Sequence, residues 1–154
     1  MFEYVFVKTD EEYAAAVKLF TEYAAWLAVD LGFQHFDEEL QNLKSVYNFN
    51  DGGIILCKVN DEFIGSVAIK RINTDVAELK RMYVQPLYQK KGIGHQLLKE
   101  AINLAKKNKY NFIRLDTLNY MLPAINLYKK NKFYEIPPYY NNPNATAVYF
   151  ERKL

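Results

Sequence analysis

The sequence predicts one α/β domain, with a central mixed, mostly antiparallel sheet of about seven strands flanked by about four helices. Three observations carry this expectation. Short β-rich runs bounded by turn residues recur along the chain. Two of them, Ile54 to Val59 and Phe63 to Lys70, are joined by Asn60 and Asp61, residues that tolerate the positive φ of a tight hairpin turn. A strand–helix–strand passage in the second half requires a crossover, and hence one parallel strand pair.

The elements follow in order. Phe2 to Lys8 alternates loosely and ends at Thr9, with Glu12 three positions later, the spacing of a capping box at the start of a helix. In that helix Val17, Phe20, Ala24, Leu27 and Leu31 recur at steps of three and four, which predicts an apolar stripe running to about Asp30 and ending near Gly32. A second, short helix is expected from Asp37 as N-cap through Leu40 and Leu43, with 45–53 as loop. The hairpin comes next, then a turn at Asn73 to Asp75 and a third extended run, Val76 to Val84, stopped by Pro86. From Gly92 to about Lys107, Ile93, Leu97, Leu98, Ala101, Leu104 and Ala105 share one helical face, and the lysines of the last turn suit the helix dipole. Phe112 to Thr117 reads as a strand and Pro123 to Lys130 as a helix with Pro in its first turn. Phe133 to Ile136 and Thr146 to Glu151 complete the sheet around a loop rich in Pro, Asn and Tyr.

Composition narrows the function classes. At 154 residues, 50% hydrophobic and 25% charged, the chain has the profile of one globular domain rather than a disordered or fibrous segment, so 1–154 is read as a single domain. A net charge of +2 with dispersed lysines gives no basic block for nucleic acid. No apolar run reaches the roughly 18 residues of a membrane span, and Met1 to Asp10 lacks the pattern of a secretory signal, so a cytoplasmic protein without a membrane partner is expected. Cys57 is the one cysteine and sits inside an apolar strand, which reads as a buried, inert thiol rather than a nucleophile. No metal-binding motif is read.

The segment Gln89-Lys90-Lys91-Gly92-Ile93-Gly94 carries the chemistry. It lies between a strand and a helix, so its backbone N–H groups and the helix dipole together suit a phosphate; an ordinary αβ turn is the plain alternative. A P-loop would need Lys then Ser or Thr after its last Gly, where His95 and Gln96 stand, and a dinucleotide fingerprint would need Gly or Ala at Leu97.

Gln-x-x-Gly-x-Gly after the run Ala77 to Pro86 resembles the coenzyme A loop of the GNAT acetyltransferase superfamily. Glu78-Leu79-Lys80-Arg81-Met82-Tyr83-Val84-Gln85-Pro86 is similar to that family's fourth strand, and the stretch from Ala124 through Leu127-Tyr128 to Phe133 to its second signature. The upstream hairpin and helices fit the family's order, so the resemblance spans essentially the whole chain. It implies the GNAT acyltransferase fold, acetyl-CoA as co-substrate without a metal, and an N-acetyltransferase moving the acetyl group directly to a primary amine of a small-molecule or amino-acid-like acceptor. The competing readings are a non-catalytic acyl-CoA-binding module and a protein or peptide N-acetyltransferase. By analogy with relatives, two copies pair through their sheets as a homodimer.

The resemblance also implies residue roles. Glu78 falls where several relatives keep a general base, against the alternative of an ion pair with Lys80 or Arg81. Tyr128 matches the tyrosine that protonates the departing thiolate, against the alternative of a core aromatic on the stripe with Leu122 and Ile125. Backbone groups of Met82, Tyr83 and Val84 are implied to hold the pantetheine arm, and Gln89, Lys90, Lys91, Gly92, Ile93, Gly94 and His95 the phosphates. Met121 stands where relatives often carry Asn, and Asn119 is the candidate to take over that cofactor contact. Asn131 is expected to take the left-handed conformation that ends the helix before Phe133. Arg114 and Asp116 share a strand face and are read as ion-paired with neighbouring strands, or as substrate-binding. Tyr23, Trp26, Phe33, Tyr139 and Tyr140 are candidate walls of the acceptor pocket or core residues. His35 and His95 read as exposed.

Overall fold

The computed structural model describes residues 1–154, the side chain of Phe33 alone lying outside the described residues. Seven strands, β1 (Glu3–Phe6), β2 (Gly53–Val59), β3 (Glu62–Arg71), β4 (Val76–Val84), β5 (Phe112–Leu118), β6 (Tyr134–Ile136) and β7 (Ala147–Lys153), form one sheet in the order β1-β2-β3-β4-β5-β7-β6. Five helices flank it: α1 (Asp10–Leu27), α2 (Phe36–Gln41), α3 (Leu43–Val46), α4 (Ile93–Lys107) and α5 (Leu122–Lys130).

The local signals act as their chemistry dictates. Thr9 caps α1 with a complete capping box: its hydroxyl accepts from the Glu12 amide, and Glu12 reaches back to the Thr9 N–H at 2.8 Å. Asn60 and Asp61 both take positive φ, 48° and 64°, so the β2–β3 turn twists with its strands. In α4 the buried residues Ile93, Leu97, Leu98, Ala101, Ile102 and Ala105 lie on one stripe against β2, β3 and β4.

Three boundaries differ from expectation. α1 stops at Leu27 because Ala28 turns left-handed at φ 55°, and Leu31 reaches the interior from the loop rather than from the helix stripe. The expected second helix is two pieces. His35, not Asp37, precedes α2, in a left-handed conformation, and Asn42 breaks the chain before α3, which starts at Leu43 and takes up Ser45 and Val46 of the expected loop. At the end of α5 it is Lys132 that turns left-handed, at φ 70°, while Asn131 stays at −101° and caps Leu127 O with its side-chain amide.

Each face of the sheet has its own core. α1 and α3 cover Ile54, Leu56, Ala68 and Tyr83, while α4 and α5 cover Ile55, Cys57, Val67, Ile69, Ala77, Leu79, Ile113 and Leu115. Cys57 is fully buried there, and burial pushes its thiol pKa up. No helix among the described residues is long and apolar enough to cross a membrane.

Candidate active site

The opening in the sheet follows from two backbone facts. First, β4 and β5 are parallel and pair only at Val76–Phe112, Ala77–Ile113 and Glu78–Arg114. Beyond Glu78 the strands part, although β4 continues to Val84 and β5, held by β7 along its length, continues to Leu118. Second, β4 carries a bulge. Ser66 faces Tyr83 but Ala68 faces Lys80, so Arg81 and Met82 together oppose Val67, and Arg81 takes φ 57°.

A buried ion pair holds the bulge. Arg81 donates from Nε to Glu39 Oε2 at 2.9 Å and from Nη2 to Glu39 Oε1 at 2.7 Å, and the Tyr47 hydroxyl donates to Glu39 Oε2 at 2.9 Å. Burial alone would raise the Glu39 carboxyl, but the guanidinium and the tyrosine hydroxyl more than offset it and leave its pKa lowered. The Ser66 hydroxyl donates to Arg81 O at 2.8 Å from the other strand.

The edge of β4 that faces the gap is polar. The Gln85 N–H donates to Ile64 O at 2.9 Å, and Gly65 lies opposite Val84 and Ser66 opposite Tyr83. Bonded and non-bonded pairs alternate in an antiparallel ladder, so the backbone groups of Val84, and of Met82 one period before, point away from β3 toward the gap.

The gap widens into a cleft of about 540 Å³. At one end lie Gln89, Lys90, Gly92, Gly94 and His95. Gly92, at φ 82°, is the N-cap of α4 and supplies no side-chain cap, so the first-turn N–H groups of the helix are left for a ligand. Gln89 uses its side-chain amide on Val84 O at 3.0 Å, clipping the loop to the end of β4. Lys91 and Ile93 do not line the cleft: Lys91 is exposed and Ile93 is buried under the sheet. Asn119 is exposed and does not line it either; its backbone N–H donates to Thr146 O, and Met121 itself forms part of the wall.

Tyr128 sits in the middle, 5% exposed, its ring against Phe133 and Phe150 at 5.7 and 6.3 Å. Among the described residues its hydroxyl has no hydrogen-bond partner, and it lines the cleft. Burial raises its pKa, so the proton stays on the hydroxyl through the physiological range. Tyr23 enters from α1 and is pushed up to about 12, chiefly by burial. Trp26 lines the same wall, and both rings pack on Tyr83.

The far end is lined by charge. On the α1 face Glu78 and Lys80 alternate along β4, and Arg114 and Asp116 along β5. Glu78 is buried at the last paired position, where the Tyr139 hydroxyl donates to its Oε2 at 2.6 Å; it does not line the cleft and is not bonded to Lys80 or Arg81. Arg114 pairs with Glu151 at 2.8 Å, as the sequence suggested. Asp116 departs from that expectation: it lines the cleft, accepting from the Tyr140 hydroxyl at 2.7 Å and from Asn142 Nδ2 at 3.5 Å, both at Oδ2. Burial raises its pKa, with the Tyr140 hydrogen bond and Lys80 only partly opposing. Tyr139 and Tyr140 thus serve as polar caps on two carboxylates, packed edge-on against each other and Tyr149. Gln34, Lys80, Asn142 and Asn144 were not singled out by sequence reasoning and also line the cleft. Among the described residues no group of three His, Cys, Asp or Glu is arranged to hold a metal ion.

The family model described as the acetyltransferase (GNAT) family matches residues 18–133. An uncharacterized N-acetyltransferase of Schizosaccharomyces pombe is 34% identical, over 88% of this chain and 85% of the relative. Among solved structures, an acetyltransferase from Streptococcus agalactiae superposes with a TM-score of 0.83 at 20% identity, covering 99% of this chain and 98% of the other. A GNAT family acetyltransferase from Elizabethkingia anophelis, with acetyl-CoA bound, superposes with a TM-score of 0.68 at 23% identity, covering 100% of this chain and 97% of the other.

Proposed function

Because the chain belongs to the acetyltransferase (GNAT) family, we propose that it transfers the acetyl group of acetyl-CoA directly to the primary amine of a small-molecule or amino-acid-like acceptor, within one ternary complex and in one domain spanning 1–154. The observation that carries this reading is the Tyr128 hydroxyl, borne on a buried ring, protonated, open to the cleft and without a protein partner, midway along a cleft that runs from the Gly92 loop to the Asp116 carboxylate. The hydroxyl of a buried tyrosine ordinarily finds a partner, and here the departing sulfur supplies it.

The diphosphate lies on the first turn of α4, where unpaired N–H groups meet the positive end of the helix. The pantetheine arm adds to the gap-facing edge of β4, bonding to the backbone of Val84 and Met82 as a strand would. An N–H at Met82 polarises the thioester carbonyl and stabilises the oxyanion. As the carbon–sulfur bond breaks, Tyr128 donates its hydrogen bond to the thiolate. The raised pKa keeps the proton on Tyr128, so the hydroxyl is present as a donor to the developing charge on sulfur.

An ammonium must lose a proton before it attacks. Asp116 is the carboxylate that faces the cleft, and its raised pKa brings it closer to that of the group it relieves. Glu78, covered by Tyr139, is set back from the cleft on the same face of the sheet. A covalent route through Cys57 is disfavoured because the thiol is fully buried and its pKa is raised.

The test is amine-dependent release of coenzyme A thiol from acetyl-CoA, with the acetylated amine identified by mass. Tyr128→Phe keeps the ring packing and should lower turnover about 100-fold with little change in cofactor affinity. A protein that binds acetyl-CoA yet acetylates no amine would contradict the proposal, and an unchanged rate in Tyr128→Phe would remove that residue from it.

A further inference from the structure

Three cations stand at or beside the charged end of the cleft, Lys80 and Arg81 on its wall and Arg114 behind it, and two of them have carboxylates of their own. Arg81 is held by Glu39 with two hydrogen bonds, and Arg114 pairs with Glu151. Lys80 has neither arrangement. Its Nζ donates to the neutral Gln34 Oε1 at 3.1 Å, and among the described residues no carboxylate lies within 4.0 Å of it. An ammonium has three donors, so two are left without a partner among the described residues, on a side chain that lines the cleft. Burial, joined by the like charge of Arg81, lowers its pKa, and Glu78, Asp116 and Glu39 oppose that in part. Lys80 is half-buried on the cleft wall, so a bound ligand with an acceptor can replace the water that otherwise takes its free donors.

The position of Lys80 argues against a role on the cofactor's phosphates. It stands four residues before Val84, roughly 13 Å along an extended strand from the end that leads into the Gly92 loop. Its fixed neighbour is instead Asp116. Gln34 accepts from Lys80 and donates from Nε2 to the Tyr140 hydroxyl at 3.1 Å, which in turn donates to Asp116 Oδ2. That chain of hydrogen bonds sets the two charges apart at a constant spacing. Both bonds to Asp116 fall on Oδ2, which leaves Oδ1 without a hydrogen-bond partner among the described residues, and Asp116 lines the cleft.

Building on the proposed acetyl transfer, we propose that the acceptor is a compact zwitterion, its carboxylate bound by Lys80 and its amine directed to Asp116 Oδ1, and that Lys80 is the residue that selects it. The apolar remainder of such an acceptor would lie against Tyr23 and Trp26.

The experiment uses phenylalanine, leucine and methionine, each offered as the free amino acid, its methyl ester and the decarboxylated amine, with acetyl-CoA and thiol release as readout. The free acids should exceed both counterparts in kcat/KM by about tenfold to a hundredfold, the range of a hydrogen bond to a charged group. In Lys80→Met that ratio should fall to within about threefold, mainly through KM, and Lys80→Arg should restore part of it. Turnover of esters or simple amines at least as good as of the acids, or an unchanged ratio in a folded Lys80→Met, overturns this inference while leaving acetyl transfer standing. Absence of turnover with every amine removes the proposed function and this inference with it.

Discussion

Replacing Glu39 with Gln is expected to destabilise the chain by about 3 to 5 kcal/mol, the cost of stranding one member of a buried ion pair. Glu39 is 6% and Arg81 5% exposed, so water cannot substitute for the lost charge. The carboxylate accepts three hydrogen bonds, two from Arg81 and one from Tyr47. Gln offers one acceptor and turns an N–H toward a guanidinium. For a domain of this size each kcal/mol moves Tm by about 2 to 4 °C, giving a fall of about 6 to 20 °C. The pH dependence follows from the lowered Glu39 pKa. A carboxyl held below its ordinary value of 4.5 stabilises the fold above that pH and loses the contribution as pH drops through the folded value, so the gap between wild type and Glu39→Gln should be level near neutrality and close below about pH 4.5. Function should fall with stability, because Arg81 holds a positive φ at the bulge in the stretch of β4 that lies beyond its pairing with β5 and lines the cleft. Thermal and urea denaturation, with calorimetric titration of acetyl-CoA, measure both. Glu39→Met with Arg81→Met should cost less than the two single changes summed, since no lone charge then remains. A loss under about 1 kcal/mol in Glu39→Gln, with full affinity for acetyl-CoA, would refute the view that this pair props the cleft open.

Two further outcomes follow. Gly92→Ala forces a Cβ onto φ 82° and should cost about 1 to 2 kcal/mol in denaturation, with weaker acetyl-CoA binding in the same titration, because the loop must relax away from the phosphates. Asp116→Asn should raise Tm near pH 7 while lowering acetyl transfer. The folded protein holds the Asp116 proton more tightly than the unfolded chain, so wild-type stability declines as pH rises from the ordinary value of 3.8 through the raised folded one, and the advantage of the variant should vanish below about pH 4.

Much of the fold is legible in short-range chemistry. The capping box at Thr9, the Asn60-Asp61 turn and the apolar stripe of α4 each depend on residues a few positions apart, and each forms as expected. What escaped depends on contacts between distant segments. Nothing local marks Arg81 as the bulge residue; its conformation is set by Glu39, forty-two positions earlier in the chain. Lys132 is a local exception: it turns left-handed in place of Asn131, whose side-chain amide is engaged with Leu127 O four residues back. In the cleft, the Gly92 loop and Tyr128 stand out by motif, whereas Lys80 and Gln34 meet only after the loop before α2 folds over β4. Asp116 reads as half of an ion pair from strand spacing, and becomes a cleft carboxylate because β5 leaves β4 two residues earlier.

The central claim is that the diverging edge of β4 receives the pantetheine arm of acetyl-CoA. Amide hydrogen exchange at Met82 and Val84, followed with and without acetyl-CoA, tests it most directly. The account predicts fast exchange in the free protein and marked protection on adding acetyl-CoA, with none from ATP. Unchanged exchange at both amides while acetyl-CoA is demonstrably bound would contradict it.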